Sequence, residues 1–182
     1  MVTENVADEN KLEVLRRDFN FTFRIPGGSS RNGQHASLGI IYRFKKGEIQ
    51  ILVIPYNPTI RVDRRYEEIF DEMPEGTLEL KILEQAGVRL GKYSLIGFQE
   101  AKNNNPEVKS EKHSKYVYST DDYDDSNIRT VASPDKRLDP PRWVEIELLR
   151  RYLFPGHLWA LDCFENKVLG PRLKEVNPHY QV

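Results

Sequence analysis

Several acidic residues lie in and just before one predicted helix. The segment TLELKILEQAGVRL, residues 77–90, has apolar residues at helical spacing and includes Gly87, where a left-handed cap is expected. Glu84 lies in the last turn of this predicted helix, and Glu72 lies in the acid-rich segment before it. Carboxylates three or four residues apart on a helix can together bind hard cations such as Mg²⁺. Acidic residues of this helix and of the segment before it could therefore do such chemistry.

Arginine and tyrosine residues supply candidates for ligand binding. A guanidinium group forms forked hydrogen bonds with phosphate oxygens, and a tyrosine ring can stack on a base or another planar ring. The candidates for substrate binding are Arg24, Arg43, Tyr56 and Tyr116. Because all of these side chains also pack well inside proteins, a structural role is the alternative at every position.

The remaining titratable residues form no recognisable site in the sequence. The run DDYDDS, residues 121–126, lacks the glycine and the closing glutamate of a calcium loop. We interpret it as a solvated loop and keep it as an alternative source of acidic groups. The four histidines are dispersed without metal-ligand spacing. The single cysteine, Cys163, lies among apolar residues and is expected to be a buried small side chain.

Composition indicates one globular domain. The chain has 182 residues, of which 38% are hydrophobic and 30% are charged, and this is enough for one core. The formal net charge of −1 provides no field to attract nucleic acid or an anionic membrane. No run approaches the ~18 to 20 apolar residues of a membrane helix, and the polar N-terminus has no signal pattern. We therefore expect a cytoplasmic protein with a single domain over residues 1–182.

Strand patterns surround the predicted helix. The sequences LGIIYRF and IQILVIPY flank KKGE, which predicts a hairpin with a buried second strand. Further strands are predicted in FNFTFRI, YSLIGFQEA, SKYVYST and RWVEIE, and helices in IELLRRYLF and GHLWALDCFENKV. The segment PGGSSRNGQ predicts a loop, and the tail from residue 170 predicts irregular structure. This interleaving predicts an α/β or α+β domain with a mixed sheet.

The order of these elements resembles the Nudix family over residues 36–165. A hairpin is followed by a helix that ends LEQAGV, by two more strands and by a closing helical segment. The resemblance implies an α/β/α sandwich in which residues 1–18 and 170–182 would be peripheral. It also implies hydrolysis of a nucleoside diphosphate linked to another group. Mg²⁺ or Mn²⁺ would be the cofactor if the chain is active, and otherwise there would be none.

The Nudix signature is only partly present. It runs Gly, five residues, Glu, seven residues, Arg-Glu-aliphatic, one residue, Glu-Glu, one residue, Gly-aliphatic. When Gly87 and Val88 are taken as the closing pair, the matching positions are Ile82, Glu84 and Glu72. The resemblance therefore implies that Glu84 is the candidate catalytic and metal-binding residue and that Glu72 is a second catalytic candidate. The positions that depart from the signature hold Leu80, Lys81, Gln85 and Tyr66. A gapped alternative aligns PEGT, residues 74–77, with the turn before the helix, and both alignments stay open.

These departures remove the charge that a metal site needs. The helix carboxylate positions read Lys81, Glu84 and Gln85, so their formal charges cancel where three glutamates would give −3. Lys81 could pair with Glu84, and its ammonium could occupy space that a metal would fill. The resulting hypothesis is binding of a nucleotide-type ligand with weak or no hydrolysis. The alternatives are an active divergent pyrophosphohydrolase that uses acids outside the signature, and a non-catalytic module that binds a protein partner.

Overall fold

The computed structural model describes residues 9–10, 13, 22–56, 72–102, 112–130 and 139–176. The pattern of RRYEEIF, residues 64–70, favours a helical turn, but this segment lies outside the described residues, as do most of the N-terminal segment and the tail beyond Val176. Among the described residues, no helix has the length and apolar composition needed to cross a membrane.

The described strands form a mixed sheet, as predicted. They are β1 (Thr22–Arg24), β2 (Gly27–Ser29), β3 (His35–Lys45), β4 (Glu48–Tyr56), β5 (Arg89–Leu90), β6 (Ser94–Lys102), β7 (Lys112–Thr120), β8 (Tyr123–Asp124) and β9 (Arg142–Glu145). The main sheet has the order β1-β4-β3-β7-β6, with β2 paired to β3 and β9 paired to β4. Strands β3 and β7 are parallel, and the other described pairs are antiparallel. Strands β5 and β8 form a separate ribbon.

The predicted hairpin between β3 and β4 is confirmed. Lys45 pairs with Glu48 across a two-residue turn, in which Lys46 has a φ of 51° and Gly47 a φ of 77°. Positive φ at both central residues gives the turn a twist that matches the flanking strands. The loop predicted for PGGSSRNGQ is wrong at Gly27–Ser29, because these residues pair with the first half of β3. Glycine-rich composition predicted a loop there, and tertiary pairing overrides it.

The helices are α1 (Pro74–Ala86), α2 (Ile146–Tyr152), α3 (Leu158–Phe164) and α4 (Gly170–Val176). A short 3₁₀ turn at Pro155–His157 separates α2 from α3, and a π-helical segment, Glu165–Leu169, joins α3 to α4. The irregular structure predicted from residue 170 is therefore wrong up to Val176. Pro171 is the second residue of α4, which directly follows the π-helical segment, so the helical path continues through it.

Apolar side chains are buried on both faces of the sheet, which gives the predicted α/β/α sandwich. One face packs against α2 and α3 through residues that include Phe23, Ile40, Val53 and Leu161. The other face packs against α1 through residues that include Ile41, Leu52, Leu78 and Ile82. Strands β3 and β4 are buried on both faces, which explains why their sequences are almost continuously apolar.

Helix α1 lies close to β3 and ends at a left-handed cap. A Cβ at Gly39 would lie 2.4 Å from Ile82 Cδ1, so the missing side chain permits this close approach. Gly87 has a φ of 71°, and its N–H donates to Leu83 O. The last carbonyl, that of Ala86, accepts from Arg129 N at 2.7 Å. These contacts fix the rotation of α1, and thereby the direction in which its polar residues point.

Candidate functional site

The side chain of Gln85 joins α1 to β2. Its Oε1 accepts a hydrogen bond from Gly27 N at 2.9 Å, and its Nε2 donates to Gly27 O at 2.8 Å. The side-chain amide thus pairs with both polar backbone atoms of Gly27, as a neighbouring strand would. Because Gln85 and Gly27 are 58 residues apart, this contact fixes one flank of α1 against β2.

Lys81 lies one helical turn before Gln85. Its Cδ and Cε would lie 3.8 and 4.0 Å from a Cβ placed on Gly28, so its half-buried stem runs along β2. Glu84 is exposed, and among the described residues it forms no ion pair with Lys81. The pairing of Lys81 with Glu84 that the spacing permits is therefore not formed. We call Lys81, Glu84 and Gln85 the signature flank of α1.

Glu72 is held by hydrogen bonds just before α1. Its Oε2 accepts from Arg31 N at 2.8 Å, and its Oε1 accepts from the Thr77 hydroxyl at 3.1 Å. The Glu72 side chain is 8% exposed, and Arg31 Nε lies 3.8 Å from its Oε1. Both carboxylate oxygens are thus engaged in fastening the segment before β3 to the start of α1.

His35 extends this hydrogen-bonded chain into the sheet. Its Nε2 lies 2.9 Å from Thr77 Oγ1. Because the Thr77 hydroxyl donates to Glu72, it accepts from His35, and the imidazole proton lies on Nε2. Burial lowers the pKa of His35, although the Glu72 carboxylate acts in the opposite direction. A neutral imidazole therefore connects α1 to the first residue of β3.

Tyr116 and Phe98 present ring surface beside His35. The Tyr116 ring meets His35 edge-on at 6.2 Å between centroids, and its centroid lies 5.2 Å from that of Phe98. Phe98 is 54% exposed on the edge strand β6. The candidate Tyr116 thus belongs to an aromatic surface that reaches solvent at Phe98. We call Tyr116 and Phe98 the aromatic edge.

Arg24 and Tyr56 lie together at β1. The Arg24 guanidinium carbon is 3.6 Å from the Tyr56 ring centroid and 4.1 Å from that of Phe154. This stack connects β1, β4 and the turn that follows α2. Arg24 precedes Gly27 by three residues, so the stack lies close in sequence to the strand that Gln85 contacts.

Arg43 lies in the other half of β3. Its guanidinium carbon is 4.2 Å from the Trp143 ring centroid, and its Nε donates to Gln50 Oε1 at 2.8 Å. The start of α1 is marked on β3 by Ser37, whose hydroxyl donates to Pro74 O. Six residues, or ~20 Å of extended strand, separate Arg43 from that point. The structure therefore does not bring Arg43 to the signature flank.

Solved structures with the same architecture decide the fold. The chain is similar to a putative NUDIX hydrolase from Listeria monocytogenes, with 13% sequence identity and a TM-score of 0.53, over 74% of this chain and 94% of that one. The chain has the Nudix fold. A MutT mutator protein from Bacillus halodurans is also similar, with 13% identity and a TM-score of 0.51, over 71% of this chain and 80% of that one. No family model and no curated protein matches the sequence.

On this Nudix fold, the signature flank does not fit Mg²⁺ or Mn²⁺. Across the described residues, no group of three or more His, Cys, Asp or Glu side chains could hold a metal ion. Glu84 has the single carboxylate of the signature flank, and the Gln85 side-chain amide is hydrogen-bonded to Gly27. The Glu72 carboxylate already accepts hydrogen bonds on both oxygens, from Arg31 N and from the Thr77 hydroxyl. Glu72 and Glu84 therefore do not form a metal site with any third His, Cys, Asp or Glu side chain of the described residues.

Aspartates at the end of β7 are engaged in structural contacts. Asp122 Oδ2 accepts from Lys92 N at 2.8 Å, and Asp121 pairs with Arg172 at 3.1 Å. The first contact closes the segment between β5 and β6 onto the turn after β7, and the second ties that turn to α4. These two aspartates thus act within the scaffold of the Nudix fold.

Sequence reasoning missed Thr77 and His35, which connect Glu72 to the sheet. The two residues are 42 apart, so no local pattern links them. The sequence held one indication of a role for Thr77. Thr77 precedes Lys81 by four residues and so lies on the same side of the helix. The partner of Gln85 was also unforeseen, since Gly27 lies in a segment whose composition predicts a loop.

Proposed function

We propose that this Nudix-fold chain binds a nucleotide-type ligand and hydrolyses it weakly or not at all. The observation that carries the proposal is the pair of hydrogen bonds between Gln85 and Gly27. These two bonds give the side chain of residue 85 a structural role, at a position where the Nudix signature has a carboxylate. Lys81 adds a positive charge at a second signature position, where a carboxylate would attract a divalent cation.

The charge of the signature flank favours an anionic group. The Lys81 stem runs along Gly28, and its ammonium can donate up to three hydrogen bonds at the end of that stem. A diphosphate offers several charged acceptors, and hydrogen bonds between ionised partners are about twice as strong as neutral ones. Lys81 is accordingly the proposed phosphate contact, with Arg24 as a second cation on β1, the strand that precedes β2 in the chain.

The aromatic edge suits the planar part of such a ligand. Tyr116 reaches the α1 side of the sheet through His35 and Thr77, and Phe98 extends the ring surface into solvent. Stacking of a base on an aromatic side chain contributes about 1–3 kcal/mol and tolerates different bases. We therefore propose that a base stacks on the aromatic edge. Tyr56, which stacks with Arg24, remains a further proposed contact for this ligand.

A binding screen with matched variants tests this proposal. The protein is titrated with nucleoside diphosphate sugars, dinucleoside polyphosphates and nucleoside triphosphates, with and without Mg²⁺ or Mn²⁺. Thermal shift reports binding, and chromatography reports product. We expect a shift with at least one compound and little or no product. Lys81→Gln should weaken binding about tenfold, because a charged hydrogen bond is lost. Lys92→Gln, at an exposed lysine bonded through its backbone, is the control.

Three outcomes would redirect the proposal. Metal-dependent turnover that disappears in Glu84→Gln would support the divergent hydrolase instead. Binding that Lys81→Gln and Lys92→Gln weaken equally would mean that the signature flank is not the phosphate contact. The absence of any shift across the panel would favour a protein-interaction module on the same fold.

A further inference from the structure

We infer that the signature flank works without a divalent cation, because Gln85 makes the bridge to Gly27 and Lys81 supplies the positive charge. The part of this inference that concerns the ligand rests on the proposed function. The part that concerns the contact between α1 and β2 stands on the structure of the protein alone.

Both polar atoms of the Gln85 side-chain amide form hydrogen bonds with the Gly27 backbone. Its oxygen accepts from Gly27 N and its nitrogen donates to Gly27 O, at 2.9 and 2.8 Å. A carboxylate at this position could still accept from the N–H. Its second oxygen would then face the Gly27 carbonyl oxygen, and two acceptors at that distance repel each other. A cation or a proton between them would restore attraction, and the amide supplies that proton in its own N–H.

Lys81 provides the charge that a cation would otherwise bring. Its Cδ and Cε run beside Gly28, the residue next to the one that Gln85 holds. Across the described residues, no acidic side chain forms an ion pair with Lys81. The ammonium is therefore available to bind a phosphate group directly. On this assignment, removal of divalent cations leaves the affinity for a diphosphate ligand unchanged.

The contact between α1 and β2 is tested by changing one atom group at Gln85. The melting temperatures of the parent, Gln85→Glu and Gln85→Met are compared in EDTA and in 5 mM Mg²⁺ or Mn²⁺. We expect the parent not to respond to the metals. Both variants should melt lower in EDTA. Mg²⁺ or Mn²⁺ should restore Gln85→Glu alone, since methionine offers no oxygen ligand.

Other results of the melting experiment would overturn the assignment. A parent that is stabilised by either metal would already contain a cation site on this flank. A Gln85→Glu variant as stable as the parent in EDTA would mean that the amide is not needed. If neither variant folds, the backbone amide resonance of Gly27 is followed by NMR in the isotopically labelled parent. A shift of that resonance on addition of Mg²⁺ would contradict the inference, and its constancy would support it.

The ligand part is tested by calorimetric titration of ADP-ribose into the parent, Lys81→Gln and Lys92→Gln. We expect the parent to bind with the same Kd, within about twofold, in EDTA and in Mg²⁺. Lys81→Gln should bind about tenfold more weakly in both buffers. Binding that requires Mg²⁺ would overturn the inference and leave the proposed function standing. If neither ADP-ribose nor any compound of the panel binds, the proposed function fails, and the melting experiment still decides the contact at Gln85.

Discussion

A single amide group distinguishes Gln85 from the glutamate of the Nudix signature. That difference converts an acceptor into a group that also donates, and Gly27 O is the atom that receives the bond. Lys81 differs more strongly, because it replaces a negative charge with a positive one. Glu84 retains its carboxylate but stands exposed. At the scale of residues, the three side chains share one flank of α1, and their formal charges cancel.

Restoring that charge should restore affinity for a metal. In Lys81→Glu with Gln85→Glu, three carboxylates share one flank of α1, and the formal charge of the signature flank becomes −3. We expect calorimetry to detect Mg²⁺ or Mn²⁺ binding by the double variant and none by the parent, since these cations bind carboxylate oxygens. The control is Lys92→Glu with Gln99→Glu, two exposed positions, which adds the same formal charge of −3 away from this flank. Unaltered metal binding in the double variant would mean that the three side chains cannot converge.

At the scale of elements, α1 is positioned by its ends as much as by its apolar face. The Pro74 carbonyl accepts from Ser37, and the Ala86 carbonyl accepts from Arg129. Gly87 closes the helix in the left-handed conformation. A Cβ on it would lie 2.2 Å from Asn127 O, so the segment after β8 packs directly on the cap. The cap therefore sets both where α1 ends and what covers that end.

Two glycine substitutions separate backbone conformation from packing. Gly47 has a φ of 77°, and a Cβ added there would have nothing within 4 Å, whereas Gly87 has a φ of 71° and a backbone oxygen 2.2 Å from an added Cβ. Gly47→Ala should lower the free energy of unfolding by about 1–2 kcal/mol, the cost of left-handed backbone. Gly87→Ala should lower the free energy of unfolding by roughly twice as much or more, because Asn127 must also move. Urea denaturation measures both. Equal losses would contradict the close packing at the cap.

At the scale of the whole molecule, the edge of the sheet is tied to the turn between α2 and α3. Phe154 N donates to Phe23 O at 2.8 Å, and Ile25 N donates to His157 Nδ1 at 3.0 Å. The second bond requires a neutral imidazole, since a protonated Nδ1 cannot accept. Burial, with smaller effects of Arg24 and Lys115, lowers the pKa of His157 from 6.5 to about 3. The fold thus depends on an uncharged histidine at this junction.

The lowered pKa of His157 predicts that acid destabilises the fold over a defined pH range. Below pH 6.5 the unfolded chain binds a proton at residue 157 that the folded chain does not accept until about pH 3. His157 therefore costs little stability above pH 6.5, and the free energy of unfolding falls as the pH is lowered from there. Between pH 7 and pH 5 we expect His157 to contribute a loss of roughly 1–2 kcal/mol. Urea denaturation at the two pH values measures this loss.

His157→Gln is the matched variant, because its amide oxygen can still accept from Ile25 N without titrating. It should reduce the pH dependence and leave the contribution of His35, whose pKa is lowered in the same direction. A variant with the same pH dependence as the parent would contradict the assignment to His157.

The sequence by itself determined the parts that depend on local spacing. The turn KKGE set the β3–β4 hairpin, and the apolar stripe with Gly87 set the end of α1 and the flank that carries Lys81, Glu84 and Gln85. Local pattern suffices there, because helix and hairpin geometry relate residues only a few positions apart.

The tertiary structure alone decided what those residues do. Gln85 meets Gly27 across 58 residues, and His35 meets Thr77 across 42. It also turned a glycine-rich segment into β2 by pairing it with β3, and it placed Arg43 away from the signature flank. Hydrogen-bond partners at such separations depend on how the layers pack, and side-chain periodicity carries no information about that packing. The sequence thus identified the helix and its altered charge, and the fold assigned the amide of Gln85 its partner.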